Sequence, residues 1–346
     1  MSDIQTNTKK VVTKILNNLP KRNRDIISRR FGLKNGDKET LEAIGQNYGI
    51  TRERVRQIED SSLGQLKEKL FDYPEVGPYL SLAYSILDEH GGVMKEEDLF
   101  DHFSGSAKRN ATNASLVLLM NLDNKFRRSA ETDNLHTFWT LSDAHVEQAH
   151  GTLATLTAAF KKHNQPVVND NLYELYKKHT DKPISPKALL AYTSLSKNIN
   201  KNIFGEVGLA HWPEINPRGV RDKAYLVLRK SENPLHFREI TELINDSGFN
   251  KKKANIQTVH NELIKDSRFV LVGRGIYALS QWGYKSGTVK DVLEQVLKES
   301  GKPLSRADLT AKVLSTRFVK ENTILLNLQD DKFKRLEDGN YVLEEV

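Results

Sequence analysis

The sequence predicts a mainly α-helical protein, organised as a tandem array of helix-turn-helix and winged-helix domains in which small β-hairpins form the wings. Two observations predict this fold class. Near the N terminus, apolar residues at helical spacing lie on either side of a glycine turn. Further along, an Asp, a basic residue and Phe open a strand that leads through a turn into an aromatic-x-Leu strand, at 123–141, 266–279 and 331–343. Helical patterns of similar layout precede each hairpin, as a winged helix requires.

Charge and short linkers divide the chain of 346 residues into five modules. Residues 1–72 hold 15 Lys+Arg and 10 Asp+Glu, a net charge of +5 out of +7 for the whole chain, whereas residues 77–144 hold 6 against 10, or −4. The predicted modules are a helix-turn-helix at 1–72 and winged helices at 77–144, 145–217 (a degenerate copy), 218–284 and 285–346. The acidic second module is expected to contact protein or to act as a spacer, because DNA repels negative charge.

The predicted helix-turn-helix lies between Thr40 and Leu66. Gly49 supplies the turn, since a tight corner between two helices requires a positive φ that glycine tolerates. Thr51 is a good N-cap for the second helix, whose inner side carries Val55 and Ile58. The outer side carries the polar residues Arg52, Glu53, Arg54, Arg56 and Gln57. We expect this helix to enter a DNA major groove.

The outer side chains have the chemistry of base reading. Arg bonds bidentately to guanine, Glu accepts from cytosine, and Gln bridges the edge of adenine, so the set is able to read adjacent base pairs. The alternative is a solvated helix face with ion pairs between residues three or four apart. The combination of a helix, a glycine turn and a capped second helix favours base reading.

The first module resembles region 4 of primary-type bacterial sigma factors. The resemblance rests on LP at 19–20, RDII at 24–27, RFGL at 30–33, TLEAIG at 40–45 and TRERVRQIE at 51–59. That region recognises the upstream promoter hexamer and docks on the flap of the RNA polymerase β subunit. The resemblance implies base contacts from Arg52, Glu53, Arg54 and Gln57, and contacts with the DNA backbone from Thr40, Thr51 and Arg56.

Two departures restrict what this resemblance implies. Where the family continues with a basic helix, residues 61–66 read SSLGQL, so weaker affinity for duplex DNA is expected. No segment before residue 19 matches the sigma region that melts the promoter, so we do not expect a complete initiating sigma factor. The match covers about the first fifth of the chain.

The fourth module, at 224–284, resembles the HARE helix-turn-helix family of winged helices. The motifs are PLHFREI at 234–240, TVHNEL at 258–263 and RFVLVGRGIYAL at 268–279. This family occurs in the delta subunit of Gram-positive RNA polymerase, in some restriction endonucleases and in eukaryotic chromatin proteins, so the resemblance implies association with DNA or polymerase. Candidate secondary nucleic-acid contacts are Lys251, Lys252, Lys253, Gln257, His260, Asn261 and Arg274. A solvated lysine run and a wing that only completes the core form an equally open alternative.

Other classes of function find no support in the sequence. The chain has no Cys, and its ten His lack the pairing of a zinc helix, so no metal or cofactor is expected. No phosphate-binding glycine loop or nucleophile elbow occurs, and the paired acids Glu96–Glu97 are expected at a solvated helix end. We expect neither an enzyme nor a binder of small-molecule substrates. Without a long apolar run or a signal peptide, the chain is expected to be cytoplasmic, bacterial-type and nucleoid-associated, with no membrane contact.

Three functional hypotheses follow. The preferred one is a non-catalytic transcription factor that reads promoter-type double-stranded DNA through the helix at 51–66 and contacts RNA polymerase. The second is a polymerase-associated interaction protein, a flap binder or delta-like modulator, with secondary DNA binding. The third, a DNA-recognition accessory of a restriction or modification system, rests on the HARE resemblance alone.

Overall fold

The computed structural model describes residues 2–249, 252–284 and 287–344, and it confirms the predicted fold class. Helices carry most of the described chain, and each sheet is small and antiparallel. The chain forms two compact units, one made of residues 1–201 with 205–210 and the other of 202–204 with 211–346.

The first unit begins with the helix-turn-helix. Its helices are α1 (Ser2–Leu16), α2 (Lys21–Phe31), α3 (Leu41–Tyr48) and α4 (Arg52–Glu68). Gly49 ends α3 in the left-handed conformation, with a φ of 62°, as the predicted turn requires. A small core joins α2, α3 and α4 through Ile26, Ile44, Val55 and Ile58.

Two winged helices follow in the same unit. The first consists of α5 (Gly77–Glu89), β1 (Val93–Lys95), α6 (Glu96–Ser104), α7 (Ala111–Leu122), β2 (Arg127–Ser129) and β3 (Phe138–Thr140). The second consists of α8 (Asp143–His163), β4 (Val167–Val168), α9 (Leu172–Lys177), α10 (Pro186–Leu195), β5 (Ile199–Lys201) and β6 (Glu206–Leu209). The sheet orders are β1-β3-β2 and β4-β6-β5. The stretch interpreted as a degenerate copy therefore has the same element order as its neighbour.

One hydrophobic core crosses the boundary that the sequence suggested between the first two modules. It contains Ile15 of α1 and Leu66 of α4 together with Phe100 of α6 and Leu118 of α7. Within α7, every residue except Asn121 is buried, and residues 116–120 form an unbroken apolar run. The residues at 1–72 and 77–144 thus share one core.

The third helix of the next winged helix also packs against a neighbouring module. α10 packs against β1. The Tyr192 hydroxyl donates to the carbonyl oxygen of Gly91 at 2.6 Å, and the Ser194 hydroxyl donates to Asp98 at 2.6 Å. In this unit, therefore, both third helices join one module to the next.

The second unit contains the remaining two winged helices. The fourth module consists of α11 (Val220–Ser231), β7 (Leu235–His236), α12 (Phe237–Asp246), α13 (Ile256–Lys265), β8 (Phe269–Gly273) and β9 (Ile276–Leu279). The fifth consists of α14 (Val289–Ser300), α15 (Arg306–Leu314), α16 (Glu321–Asn327), β10 (Phe333–Arg335) and β11 (Tyr341–Leu343). The first sheet has the order β7-β9-β8, whereas β10 and β11 pair alone and Leu304 adds a single bridge to Tyr341. Each module has its own core.

Candidate nucleic-acid interface

The N-terminal half of α4 presents its polar residues to solvent. Thr51 caps the helix by accepting a hydrogen bond from the backbone N–H of Arg54 at 3.2 Å. Val55 and Ile58 are buried, so helical spacing leaves the polar positions on the outer side. The residues exposed there are Arg52, Glu53, Arg54, Arg56 and Gln57. The structure therefore brings the predicted contacts of this helix onto one accessible face.

Ion pairs organise part of this face. Arg56 donates to Glu53 at 2.7 Å and to Asp60 at 2.7 Å. The hydrogen bond from Arg56 holds the pKa of Glu53 below its ordinary value, so Glu53 remains an ionised acceptor. The Arg54 guanidinium donates to the Gln57 amide oxygen at 3.1 Å. The ion pairs expected of a solvated face are present, but they leave Arg52 and Arg54 without a carboxylate partner within the described residues.

The start of α3 is held firmly against the rest of the helix-turn-helix. Thr40 is exposed, and its hydroxyl accepts from the backbone N–H of Ala43 at 3.1 Å. Arg30 donates to Glu59 of α4 at 2.9 Å and to the carbonyl oxygen of Glu39 at 2.8 Å. This guanidinium ties α2, α4 and the loop before α3 together, so the positions of Thr40 and α4 depend on each other.

The C-terminal half of α4 explains where the sequence departs from the sigma pattern. Ser62 and Leu66 are buried, and Leu66 belongs to the core shared with α7. Lysine and arginine are almost never fully buried unless they are paired. A basic helix at 61–66 is therefore incompatible with this packing at two of its positions.

The third helix of the fourth module is open to solvent. Only Val259 and Leu263 of α13 are buried. Gln257 and Asn261 are exposed and joined by a hydrogen bond of 3.1 Å. Among the other predicted contacts, Lys252, Lys253 and Arg274 are exposed, whereas Lys251 lies outside the described residues.

His260 differs from the other predicted contacts of this module. Its ring is half-buried, with a centroid 4.5 Å from that of Phe237 and 6.0 Å from that of Tyr277. Such ring contacts favour a packing role for the imidazole. Contact between His260 and nucleic acid therefore stays a prediction that its surroundings do not favour.

A buried carboxylate that the sequence did not indicate lies in the second module. Glu96 was expected at a solvated helix end, but it is 3% exposed. It accepts hydrogen bonds from Arg109 at 2.7 Å, from Arg128 at 3.0 Å and from the Trp139 indole at 3.1 Å. Burial raises its pKa, but the hydrogen bond from Arg128 and the charges of Arg128, Arg109 and Lys38 outweigh burial and hold the pKa below its ordinary value. No local motif announces these partners, because they lie 13 to 43 residues from Glu96.

In the described parts of the chain, no three side chains of His, Cys, Asp or Glu lie close enough together to hold a metal ion. Nor does any described helix have the length and apolar character needed to cross a membrane.

Two segments of the chain match known families, in agreement with the resemblances seen in the sequence. Residues 15–68 match the family described as Sigma-70, region 4. Residues 219–282 match the HARE-HTH family, whose description includes the restriction endonuclease HTH domain. These segments contain α4 and α13 respectively, which are the two exposed helices described above.

Curated relatives that match the first segment include three sigma factors. RNA polymerase sigma factor SigA of Nostoc sp. is 48% identical over 54 residues, which are 16% of this chain and 14% of the relative. RNA polymerase sigma factor SigA of Clostridium acetobutylicum is 43% identical over 70 residues, or 19% of this chain and 18% of the relative. RNA polymerase sigma factor sigB of Arabidopsis thaliana is 46% identical over 56 residues, or 16% and 10%. The chain thus spans less than a fifth of each relative. Together, the matches indicate DNA binding related to transcription.

Proposed function

We propose that this protein is a non-catalytic transcription factor that reads promoter-type duplex DNA through the N-terminal half of α4. The observation that carries the proposal is the exposed set on the first turns of that helix: Arg52, Glu53, Arg54 and Gln57. Arg52 and Arg54 supply donors for guanine, Glu53 supplies an acceptor for cytosine, and Gln57 supplies both for adenine. Phosphate contacts are assigned to Thr40, Thr51 and Arg56.

The packing of α4 supports this role. The small core around Val55 holds its first half, and the larger core around Leu66 holds its second half. Arg30 adds a hydrogen-bonded tie to Glu59 at 2.9 Å. A reading helix held in this way loses little conformational freedom when it binds, which favours affinity and a fixed register.

A second candidate function is binding to RNA polymerase, with DNA as a secondary partner. The observation that favours it is Phe71, which is 74% exposed beside a cavity of about 260 Å³ lined by Leu80, Tyr84 and Phe126. An exposed aromatic side chain beside a pocket is typical of a surface that binds protein. The net charge of −4 at 77–144 also favours a protein partner for this module.

The remaining parts of the proposal concern catalysis, ligands and location in the cell. We assign the protein no catalytic activity, cofactor or small-molecule substrate, because the proposed action is recognition alone. We place it in the cytoplasm, at the nucleoid, because its proposed ligand is there. The accessory role in restriction or modification stays the third candidate, since only the HARE-HTH match supports it.

The test is selection of duplexes from a random pool by the full chain, without polymerase and at fixed near-physiological salt. We expect a motif that resembles the upstream promoter hexamer. Arg54→Ala or Gln57→Ala should then cost about 1–3 kcal/mol, roughly 5- to 150-fold, at one or two base positions.

Lys67→Ala is the matched control, since it removes an exposed cation from the last turn of the same helix. It should leave the selected motif unchanged. An equal loss on all sequences for Arg54→Ala would refute base reading. Recovery of no motif by the wild type would favour the polymerase-bound alternative.

A further inference from the structure

Four charged side chains with an excess of positive charge lie together at the junction between the helix-turn-helix and the second module. Lys38, Arg109 and Arg128 surround the buried carboxylate of Glu96. We call these four residues the junction cluster. Three cations and one carboxylate give a net charge of +2. Within the described residues, no second carboxylate forms an ion pair with any of the three cations.

The surroundings of Lys38 disfavour its charged form. Burial, together with the charges of Arg109 and Arg128, lowers the pKa of Lys38 from 10.5 to about 8. Lys38 is nevertheless exposed, and the Arg109 side chain is 46% exposed. Both charged groups lie close to other cations and are accessible to water. A bound anion would relieve this repulsion, so the cluster has the electrostatics of an anion site.

The position of the junction cluster indicates which anion it meets. Lys38 precedes Thr40, the N-cap of α3, by two residues. In a DNA-bound helix-turn-helix, the first helix crosses the sugar-phosphate backbone while the second lies in the groove. The backbone N–H groups at the start of α3 also attract a phosphate. A phosphate that approaches Thr40 therefore comes close to the chain segment that carries Lys38.

Close packing of backbone on backbone places Arg109 beside the loop that carries Lys38. Gly36, in the loop before Lys38, has a φ of 99°, and a Cβ there would lie 2.9 Å from the carbonyl carbon of Arg109 and from the backbone of Asn110. Only glycine permits this approach. Glu96 accepts from a single nitrogen of Arg109, so the rest of that guanidinium remains available. Arg128 donates to both oxygens of Glu96 and holds the carboxylate in place.

We propose that Lys38 and Arg109 bind a DNA phosphate adjacent to the base pairs read by α4, with Glu96 and Arg128 as positioning residues for Arg109. The proposal rests on the proposed function, since it requires α4 to lie in the groove. It adds a residue of the acidic second module to the DNA footprint. The shared core between 1–72 and 77–144 makes this possible, because Arg109 is carried in the same compact unit as the reading helix.

The test compares Arg109→Gln and Lys38→Gln with Arg127→Gln in the full chain. Arg127 is the matched control, because it is an exposed arginine next to Arg128 and pairs with Asp143 instead of Glu96. Binding to a duplex with the selected motif is measured across a salt series.

Each lost phosphate contact should make the negative slope of log affinity against log salt shallower by about 0.9, and the base preference should not change. Between 50 and 200 mM salt, each test variant should therefore lose about 3.5-fold less affinity than the wild type. The control should keep the wild-type slope.

A second experiment locates the phosphate. Single uncharged methylphosphonate groups are placed at each backbone position in and beside the motif. One or two positions should weaken wild-type binding and have no further effect on Arg109→Gln, as expected when the side chain and the phosphate form one contact. Arg109→Lys should restore part of the sensitivity, because it restores the charge.

Failure of this inference is distinguishable from failure of the proposed function. If both test variants have the slope and phosphate sensitivity of Arg127→Gln while the motif is still selected, the inference is wrong and the cluster is open to an acidic protein surface instead. If no motif is selected, base reading by α4 fails. In that case, a slope on random duplex that does not become shallower in Arg109→Gln overturns the phosphate contact as well.

Discussion

α7 and α13 occupy the same place in two winged helices, yet one is buried and the other is open. Each is the third helix of its module and precedes the hairpin. In α7, Asn121 is the only exposed residue, whereas α13 buries only Val259 and Leu263. The same topology therefore gives a structural support in one module and an accessible surface in the other.

The difference teaches that winged-helix topology alone does not assign DNA binding. A third helix binds DNA only if its polar side chains reach the groove. In α7, the side that would face the groove packs into the core shared with the helix-turn-helix. The second module thus acts as the support of α4.

The starts of the second helices differ in the same two modules. Glu96 opens α6 and joins the wing through Arg128 and Trp139, whereas Phe237 opens α12 and contacts the ring of His260. At these two helix starts, the second module has an ionic contact and the fourth module has an aromatic one. The two contacts should therefore respond differently to acid.

The largest expected effect is on packing. Leu118→Ala, at a position that is 0% exposed, should lower the free energy of unfolding of the first unit by about 2–5 kcal/mol. Ile264→Ala, at an α13 position that is 63% exposed, should change stability by no more than about 0.5 kcal/mol. Hydrogen exchange during chemical denaturation measures each unit separately. Similar losses in the two variants would contradict the contrast between α7 and α13.

The next effect concerns the ionic contact of Glu96. Glu96→Gln leaves Arg109 and Arg128 without their carboxylate and should cost about 1–3 kcal/mol near pH 7. Because the folded-state pKa of Glu96 is lowered, its contribution is present above the unfolded value of 4.5 and is lost as pH falls through the folded pKa. The difference in the free energy of unfolding between the wild type and Glu96→Gln should therefore narrow below pH 4.5.

Phe237→Leu is the counterpart in the fourth module. It should cost about 0.5–1.5 kcal/mol through loss of the ring contacts, and that cost should not vary with acid in the range where Glu96 titrates. Thermal unfolding across a pH series measures both variants. A difference for Glu96→Gln that stays constant down to about pH 3 would show that the carboxylate does not act through its charge.

The smallest expected effect concerns nucleic acid. Lys253 lies just before α13. For binding to random duplex, Lys253→Ala should make the negative slope of log affinity against log salt shallower by about 0.9. Lys187→Ala is the matched change near the start of α10, where the lysine pairs with Glu89 at 2.9 Å in the covered module. That variant should keep the wild-type slope, as measured by fluorescence anisotropy. An equal change of slope in both would show that exposure of the third helix does not decide DNA contact.

Much of the candidate site was predictable because its signals are local. Thr51 as N-cap, Gly49 as turn and the outward direction of Arg52, Arg54 and Gln57 follow from short spacings along the chain, and the structure has all of these features. Glu96 could not be assigned in the same way, since an acidic residue at a helix start is usually solvated. Its arginine and tryptophan partners come from other elements.

The sequence by itself determined the elements, the caps and turns, and the polar face of α4, since each depends on neighbours along the chain. The tertiary structure alone decided which third helices stay exposed and which charged side chains lie close together. The apolar run at 116–120 in α7 indicates burial but does not identify the surface that covers it. α1 and α4 bury α7, and Lys38 interacts with the charge of Arg109. The residues involved are far apart along the chain. No periodicity or motif encodes these contacts, because the packing of whole helices sets them.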